Sequence, residues 1–339
     1  MPSGSQQGRP TRTVTIADVA RLAGVAPMTV SRVINSPGLV ASATAERVRE
    51  AIARLGYVPN LMAGGLSSRR SRMIAAVVPT ISHPMFATLI DRFTATLRQA
   101  GYQVILSLTG YTEPTAEDEL VHALLGRRPD GLLITGVTHS PATRQLLSEA
   151  GIPVVEIFDF APDPIDTLVG FDHEAVGAAA AEYFLARGHD TFAMFAAADQ
   201  RALARRRGFL RRASAAGARI IDAPMLPAPS TITAGRAAMR ALAPRLARRT
   251  ALFCSSDLLA FGAIIEAGQH GIAIPDPLAV CGFGDFEIAA VNEPPFTTIT
   301  VEAARIGHDA AEIILMRLAG DNAQRCVEVP FRIVQRASS

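Results

Sequence analysis

Apolar positions fall into three regimes along the chain. Over residues 15–55 they recur at helical spacing: Ile16, Val19, Ala20 and Ala23 mark one buried face, Val30, Val33 and Ile34 a second, and Val48, Ala51, Ile52 and Leu55 a third. Thr15 stands at the N-cap of the first helix with Asp18 three residues on, close to a capping box. Gly24 and Gly56 stop the first and third helices, and Pro27 suits the first position of the second. Residues 60–72 form a polar linker. From residue 73 short apolar runs alternate with helical patterns such as Phe86-x-x-Leu89-Ile90-x-x-Phe93. Strands are predicted at Ile74–Val78, Val104–Leu108, Gly131–Ile134 and Val154–Phe158, then at Phe192–Phe195, Arg219–Asp222, Ala251–Cys254 and Ala279–Gly282. Such alternation implies parallel sheets with right-handed crossovers, and two series imply two lobes with a cleft between them. The predicted fold class is α/β, a three-helix head on a two-lobed core of parallel βα units. The expected domains are a disordered tail over 1–13, a head over 14–59, a hinge over 60–72 and a core over 73–339. Lobe one takes about 73–168 and 299–339, lobe two about 169–298, with the return through Phe296–Ile299.

Composition narrows the class. With 339 residues, 49% of them apolar, the chain is too long for one core and able to bury several. No apolar run reaches the roughly 20 residues of a membrane helix, and Met1–Thr13 has no apolar signal-peptide centre. Cys254, Cys281 and Cys326 are far apart and match neither metal-ligand spacing nor a disulfide framework. A reduced, cytoplasmic protein without metal or cofactor is expected. Charge is unevenly placed. Residues 1–72 carry ten arginines against three acids, a balance of +7, while the remaining 23 arginines meet 28 acids for −5. A basic head on an acidic body suits a polyanion at the head alone. No phosphate loop, Gly-x-Ser-x-Gly or zinc motif occurs and the seven histidines are scattered, so an enzyme is not expected.

The first two helices, joined by a short Gly-containing turn, have the arrangement of a helix-turn-helix, whose second helix lays its N-terminal side chains in the DNA major groove. Arg32 has the fork to bond a guanine edge, and Thr29, Ser31 and Asn35 can bond phosphates or bases. A plain three-helix packing module would show the same apolar pattern. The residue order goes further. Thr15-Ile16-Ala17-Asp18-Val19-Ala20, Ala23-Gly24-Val25, Met28-Thr29-Val30-Ser31-Arg32-Val33-Ile34-Asn35 and Gly56-Tyr57-Val58-Pro59-Asn60 together resemble the head of the LacI/GalR repressor family. The resemblance implies base-reading positions at Pro27, Met28 and Arg32, and backbone contacts from Thr15, Thr29, Ser31, Asn35, Thr44, Tyr57 and Asn60. It implies a hinge helix in which Leu66, beside Ala63, wedges into the minor groove; packing of Leu66 on its dimer mate is the alternative. It also implies a core like that of periplasmic binding proteins, a palindromic duplex as partner and a homodimer matching its two-fold symmetry. No leucine heptad follows Phe331–Arg336, so nothing indicates a tetramerisation helix.

Pocket candidates follow the predicted strands, where open α/β sheets bind ligands. They are Thr80, His83 and Phe86, then Thr135 and His139, then Phe158, Asp172, Ser256, Asp257 and Asp285. Phe86 either stacks on a ligand or fills the core. Arg205, ahead of Gly208-Phe209, matches the family's ligand-gripping arginine, with Arg201 one turn earlier. Two departures from the family are Gly284, at a position often acidic, and Phe158, where a sugar-binding Asp is usual. Loss of carboxylates with retention of two arginines suits an anionic effector. Gly110-Tyr111, Thr138-His139-Ser140-Pro141 and Val169-Gly170-Phe171-Asp172 resemble the gluconate-repressor branch, which implies gluconate or a related sugar acid. A neutral sugar or purine effector is the alternative, and a secreted sugar-binding protein the rival class.

Two further departures sit at helix starts and in the linker. Ala26 is a poor N-cap for the second helix. Gly64 and Gly65 each cost a hinge helix about 1 kcal/mol relative to alanine. Replacing both with alanine is expected to tighten DNA binding and blunt its response to effector, read as gel-shift midpoints with and without effector; unchanged operator affinity would contradict this.

Overall fold

The computed structural model describes residues 14–58, 70–111, 116–246, 249–321, 323 and 326–339. The chain divides into two compact units, one up to Ser71 and one from Arg72 onward.

The first unit is three helices, α1 (Ile16–Ala23), α2 (Pro27–Asn35) and α3 (Ser42–Leu55), around Val19, Ala20, Val30, Val33, Ala45, Val48 and Ala51. The Asp18 carboxylate accepts the backbone N–H of Thr15 at 3.0 Å and its hydroxyl at 2.7 Å, fixing the start of α1. Gly24 and Gly56 close α1 and α3 in the left-handed region, at φ +65° and +61°. No side chain caps α2, as expected of Ala26.

The second unit holds two sheets. The first is built from β1 (Met73–Val78), β2 (Gln103–Leu108), β3 (Gly131–Thr135), β4 (Val154–Ile157) and β5 (Thr167–Gly170), all parallel. Helices α4 (Pro84–Gln99), α5 (Ala116–Leu125) and α6 (Pro141–Glu149) make its crossovers. The second sheet is built from β6 (Thr191–Ala197), β7 (Arg219–Asp222), β9 (Thr250–Cys254), β10 (Leu278–Phe283) and β11 (Thr297–Val301), with the two-residue β8 (Met225–Leu226) beside β6. Its helices are α7 (His173–Leu185), α8 (Gln200–Ala215), α9 (Ile232–Leu242), α10 (Asp257–Gln269) and the short α11 (Glu287–Val291). The central strands are buried on both faces, as parallel sheets covered by helices require.

The chain passes between the sheets three times, after β5, after β11 and again near its end. Helix α12 (Ala303–Leu318) returns to the first lobe and packs on α4, and β12 (Cys326–Glu328) pairs with β5. The final strand, β13 (Phe331–Val334), then pairs antiparallel with β11 in the second sheet. This corrects the assignment of residues 299–339 to lobe one. Strand β11 belongs to lobe two, as do β13 and Ser338, whose hydroxyl donates to the Val280 carbonyl and accepts the Thr297 N–H.

Helices α7 and α8 cross without a side chain between them. A Cβ on Gly177 would run into the Arg205 carbonyl, and one on Gly208 into the Glu174 carbonyl. Gly208→Ala is therefore expected to cost at least about 2 kcal/mol by forcing the helices apart. Gly268→Ala, in α10 with open space around it, is expected to gain up to about 1 kcal/mol. Denaturant titration of both variants checks the contrast.

Candidate functional site

In the first unit, α2 turns Val30 and Val33 inward and leaves Met28 65% exposed, with Pro27 and Arg32 also exposed. The helix carries no acidic side chain, so this face presents donors and one cation to a polyanion. The Asn35 amide donates to the Ser31 hydroxyl at 3.3 Å. Thr29 and Thr44 are half-buried, and Thr15 is exposed at the start of α1 with its hydroxyl on Asp18. Tyr57 packs against the head core. Asn60, Ala63 and Leu66 lie outside the described residues.

In the second unit the C-terminal ends of the central strands face one another across a cleft of two adjoining chambers, as the fold class dictates. The inner chamber is narrow, about 50 Å³, and opens beside the roomier outer chamber of about 490 Å³. The first lobe lines it with His83, Phe86, Tyr111 and Phe158, the second with His173, Asp199, Arg201, Arg205, Ser255, Ser256 and Phe283. Tyr111, Asp199 and Arg201 also line the outer chamber, together with Thr135, Gly136, Thr138, His139 and Asp159.

Arg205 is the central feature of the inner chamber. It is 6% exposed. Its Nη1 donates to His173 Nδ1 at 2.7 Å, its Nη2 to the Ser255 carbonyl at 3.0 Å, and its guanidinium lies 4.1 Å from the centre of the Phe283 ring. Its Nε has no partner among the described residues. Burial lowers its pKa to about 10 against the opposing pull of Asp199, so it stays cationic at neutral pH. Arg201, one turn earlier, lies 3.6 Å from Asp159 Oδ2 and 5.7 Å from the centre of the Phe86 ring. Asp199 caps α8 by accepting the Ala202 N–H at 2.9 Å, which fixes the register of both arginines.

Two histidines beside these cations are neutral. Burial, and then the Arg205 charge, bring His83 down to about 4 and hold His173 well below its usual value. His83 meets Phe86 and Phe286 edge-on, at 5.9 and 5.0 Å between ring centres. Phe86 is buried and meets Phe158 edge-on at 5.1 Å, so it both fills the core and lines the chamber.

The structure gives several predicted ligands other work. The Thr80 hydroxyl accepts the Ser82 N–H within its own turn. Asp172 caps α7 through the N–H groups of Glu174 and Ala175. Asp257 is fully buried and lines neither chamber; it accepts the Thr298 hydroxyl at 2.5 Å and the Phe286 N–H at 2.8 Å, and burial raises its pKa to about 7. Asp285 forms an ion pair with Arg336 at 2.7 Å and lines neither chamber. Ser256 caps α10 yet lines the inner chamber. Thr135 donates to the Val77 carbonyl and lines the outer one.

The cleft is also not free of carboxylates. Strand β4 ends at Ile157, and Phe158 adopts φ +70°, which buries its ring while Asp159 enters the outer chamber. Asp199, Ser255, Tyr111 and Phe283 were absent from the expected ligands, and Asp159 and His173, which adjoin the candidates Phe158 and Asp172, were not singled out. All six end a strand or follow one within three residues, the signal that marked the others.

His139 lines the outer chamber but both ring nitrogens are engaged. Nδ1 lies 2.7 Å from Glu117, and Nε2 lies 3.1 Å from the Gly136 carbonyl and 3.3 Å from the fully buried Glu156. Burial opposes its charge, but hydrogen bonds and charges from Glu117 and Glu156 outweigh it and raise the pKa to about 9. Asp118 accepts the hydroxyls of Ser140 and Thr143, so the start of α5 holds the whole loop after β3.

The comparisons agree with this geometry. Residues 15–60 match the lacI family of bacterial regulatory proteins, and residues 181–339 match the periplasmic binding protein-like domain. The chain is 34% identical over 336 residues to the HTH-type transcriptional regulator GntR of Pseudomonas aeruginosa, spanning 98% of this chain and 96% of the relative. It is 31% identical over 330 residues to the HTH-type transcriptional repressor PurR of Vibrio atlanticus, spanning 96% and 98%. A crystal structure of a LacI family transcriptional regulator from Silicibacter pomeroyi superposes with a TM-score of 0.90 at 32% identity, covering 96% of this chain and 99% of that one. The architecture and its cleft are those of a ligand-responsive, DNA-binding regulator. The chain belongs to the LacI family of bacterial transcription regulators, and its relatives are regulators, not enzymes. No helix among the described residues is long and apolar enough to cross a membrane.

The His139 cluster carries a pH signature. A folded pKa near 9, above the usual 6.5, means its stabilisation is fully present below pH 6.5 and lost as pH rises through 9. The stability gap between the native chain and His139→Gln is therefore expected to shrink from pH 6 to pH 9.5 in denaturant titrations.

Proposed function

We propose that the regulator is a homodimer on a palindromic operator and that its effector is a sugar acid of the gluconate type. The carrying observation is the buried Arg205, a cation whose nearest polar partners are an imidazole lone pair and a carbonyl. With no carboxylate hydrogen-bonded to it among the described residues, its charge is available to an incoming carboxylate. The Thr135 and Thr138 hydroxyls and the Asp159 carboxylate in the adjoining chamber suit the hydroxyls of a polyol. Likeness to a regulator named GntR supports the same reading. Aromatic walls at Phe86, Phe158, Tyr111 and Phe283, and the likeness to PurR, favour a purine as the second reading. Closure of the lobes on the effector alters how the hinges and heads meet DNA, with a coupling of about 1–3 kcal/mol typical of such systems.

Calorimetry of the full chain against gluconate, neutral sugars and purine bases separates the readings. Gluconate is expected to bind, and Arg205→Lys, which keeps the charge but loses the fork, to weaken it by about 10–100-fold. Heat from a purine or neutral sugar, with none from gluconate or other sugar acids, would reject the sugar-acid reading.

A further inference from the structure

We propose that His173 is a positioning residue that aims Arg205 at the effector's anionic group and ties that grip to the first lobe. The inference rests on the sugar-acid reading for the identity of the anion, though not for the geometry.

His173 is the first residue of α7, just past the first crossing between the sheets. Its Nε2 donates to the Phe158 carbonyl, at the end of β4 in the first lobe, at 2.8 Å. Its Nδ1 accepts from Arg205 Nη1, on α8 in the second lobe, at 2.7 Å. A carbonyl can only accept and a guanidinium can only donate, so one neutral tautomer alone, protonated at Nε2, serves both. The ring is wedged by Phe171 at 4.4 Å and Phe283 at 6.2 Å between centres, which leaves it no room to flip its roles cheaply. Asp159 Oδ1 lies 3.4 Å from the same Nε2, so the ring also touches the carboxylate that lies 3.6 Å from Arg201.

The choice of partner matters. A carboxylate in the place of Nδ1 would orient Arg205 equally well but would neutralise it. An imidazole lone pair orients the guanidinium and leaves its charge for the ligand. A pull on Arg205 from a bound anion then passes through one rigid ring to the Phe158 backbone in the first lobe.

Two near-isosteric variants of the full chain separate these tasks. In His173→Asn the side-chain oxygen stands near Nδ1 and accepts from Arg205, while the bond to Phe158 is lost. In His173→Gln the amide nitrogen reaches the place of Nε2 and donates to Phe158, while the acceptor for Arg205 is lost. Gluconate binding is measured by calorimetry, and coupling by the gluconate-dependent change in affinity for an operator duplex selected in vitro. His173→Gln is expected to weaken gluconate by about tenfold or more, the size of one lost orienting hydrogen bond. His173→Asn is expected to bind gluconate within about threefold of the native chain yet lose most of the coupling. A ring that merely fills space would impair both variants alike, and any pattern other than the split overturns the proposal. If the native chain ignores gluconate, the sugar-acid reading alone fails. The ring is then judged by nitrogen NMR of the ligand-free chain at pH 7: a neutral ring protonated at Nε2 supports the assignment, and a charged ring or one protonated at Nδ1 overturns it.

Discussion

Arg205 holds a full positive charge where water barely reaches. Burying a lone cation is costly unless hydrogen bonds and nearby charge offset the lost hydration. Here the offset is divided. His173 and Ser255 each take one guanidinium nitrogen, the Phe283 face takes the plane, and Asp199 and Asp159 supply field without touching it. A closer carboxylate would steady the residue and also silence it. The arrangement is therefore stable enough to exist and incomplete enough to attract an anion, which is what a sensor needs and a structural ion pair does not. Glu266, gripped by Arg236 at 2.9 Å and Arg240 at 2.7 Å on the outside of the second lobe, shows the contrasting, self-contained design.

Keeping Arg205 in place is a task for the whole second lobe. Asp199 sets where α8 begins, and the glycine contact between α7 and α8 brings His173 and Arg205 to hydrogen-bonding distance. The first lobe contributes through Phe158, whose left-handed backbone ends β4, directs its carbonyl to His173 and sends Asp159 into the outer chamber. Both lobes thus meet at one ring. The outer chamber is braced separately, by the His139 cluster and Asp118, so its loop is held whether or not the inner chamber is filled.

Much of this was legible in the chain because burial imposes period. The eight strands read from apolar runs are all present; six are interior strands covered by helices, and β2 and β7, at the sheet edges, still carry enough apolar residues to be read. Strand β11 was hidden because Thr297, Thr298 and Thr300 do not read as apolar, although Thr297 and Thr298 are fully buried. Strand β12 is three residues long and mostly exposed. Strand β13 lies in the 299–339 segment expected in lobe one and instead joins lobe two, because a strand's own residues do not say which sheet edge it pairs with. Among the pocket residues, strand ends were a sound guide to position and a poor guide to side-chain role. Asp257 and Asp285 find their partners at Thr298 and Arg336, far along the chain. Asp172 is different: its helix-capping role was readable from its place ahead of His173-Glu174-Ala175, and only the expectation of a ligand obscured it.

The two units divide the electrostatic labour that the charge distribution first suggested. The head keeps its cations on the surface, where affinity for a phosphate backbone is strong but screened by salt. The core keeps its decisive cation buried, where screening is weak and a single small anion can matter. A regulator needs both regimes. Its DNA contact must be broad, additive and adjustable, and its effector contact must be narrow enough that one bound molecule shifts the balance. The signal between them amounts to a few kcal/mol at most. A single carboxylate can supply that only in a site where the guanidinium has been oriented in advance and left unneutralised. His173 meets both conditions, and at an exposed arginine of the kind seen at Arg207 or Arg211, already paired with Glu174, neither would hold.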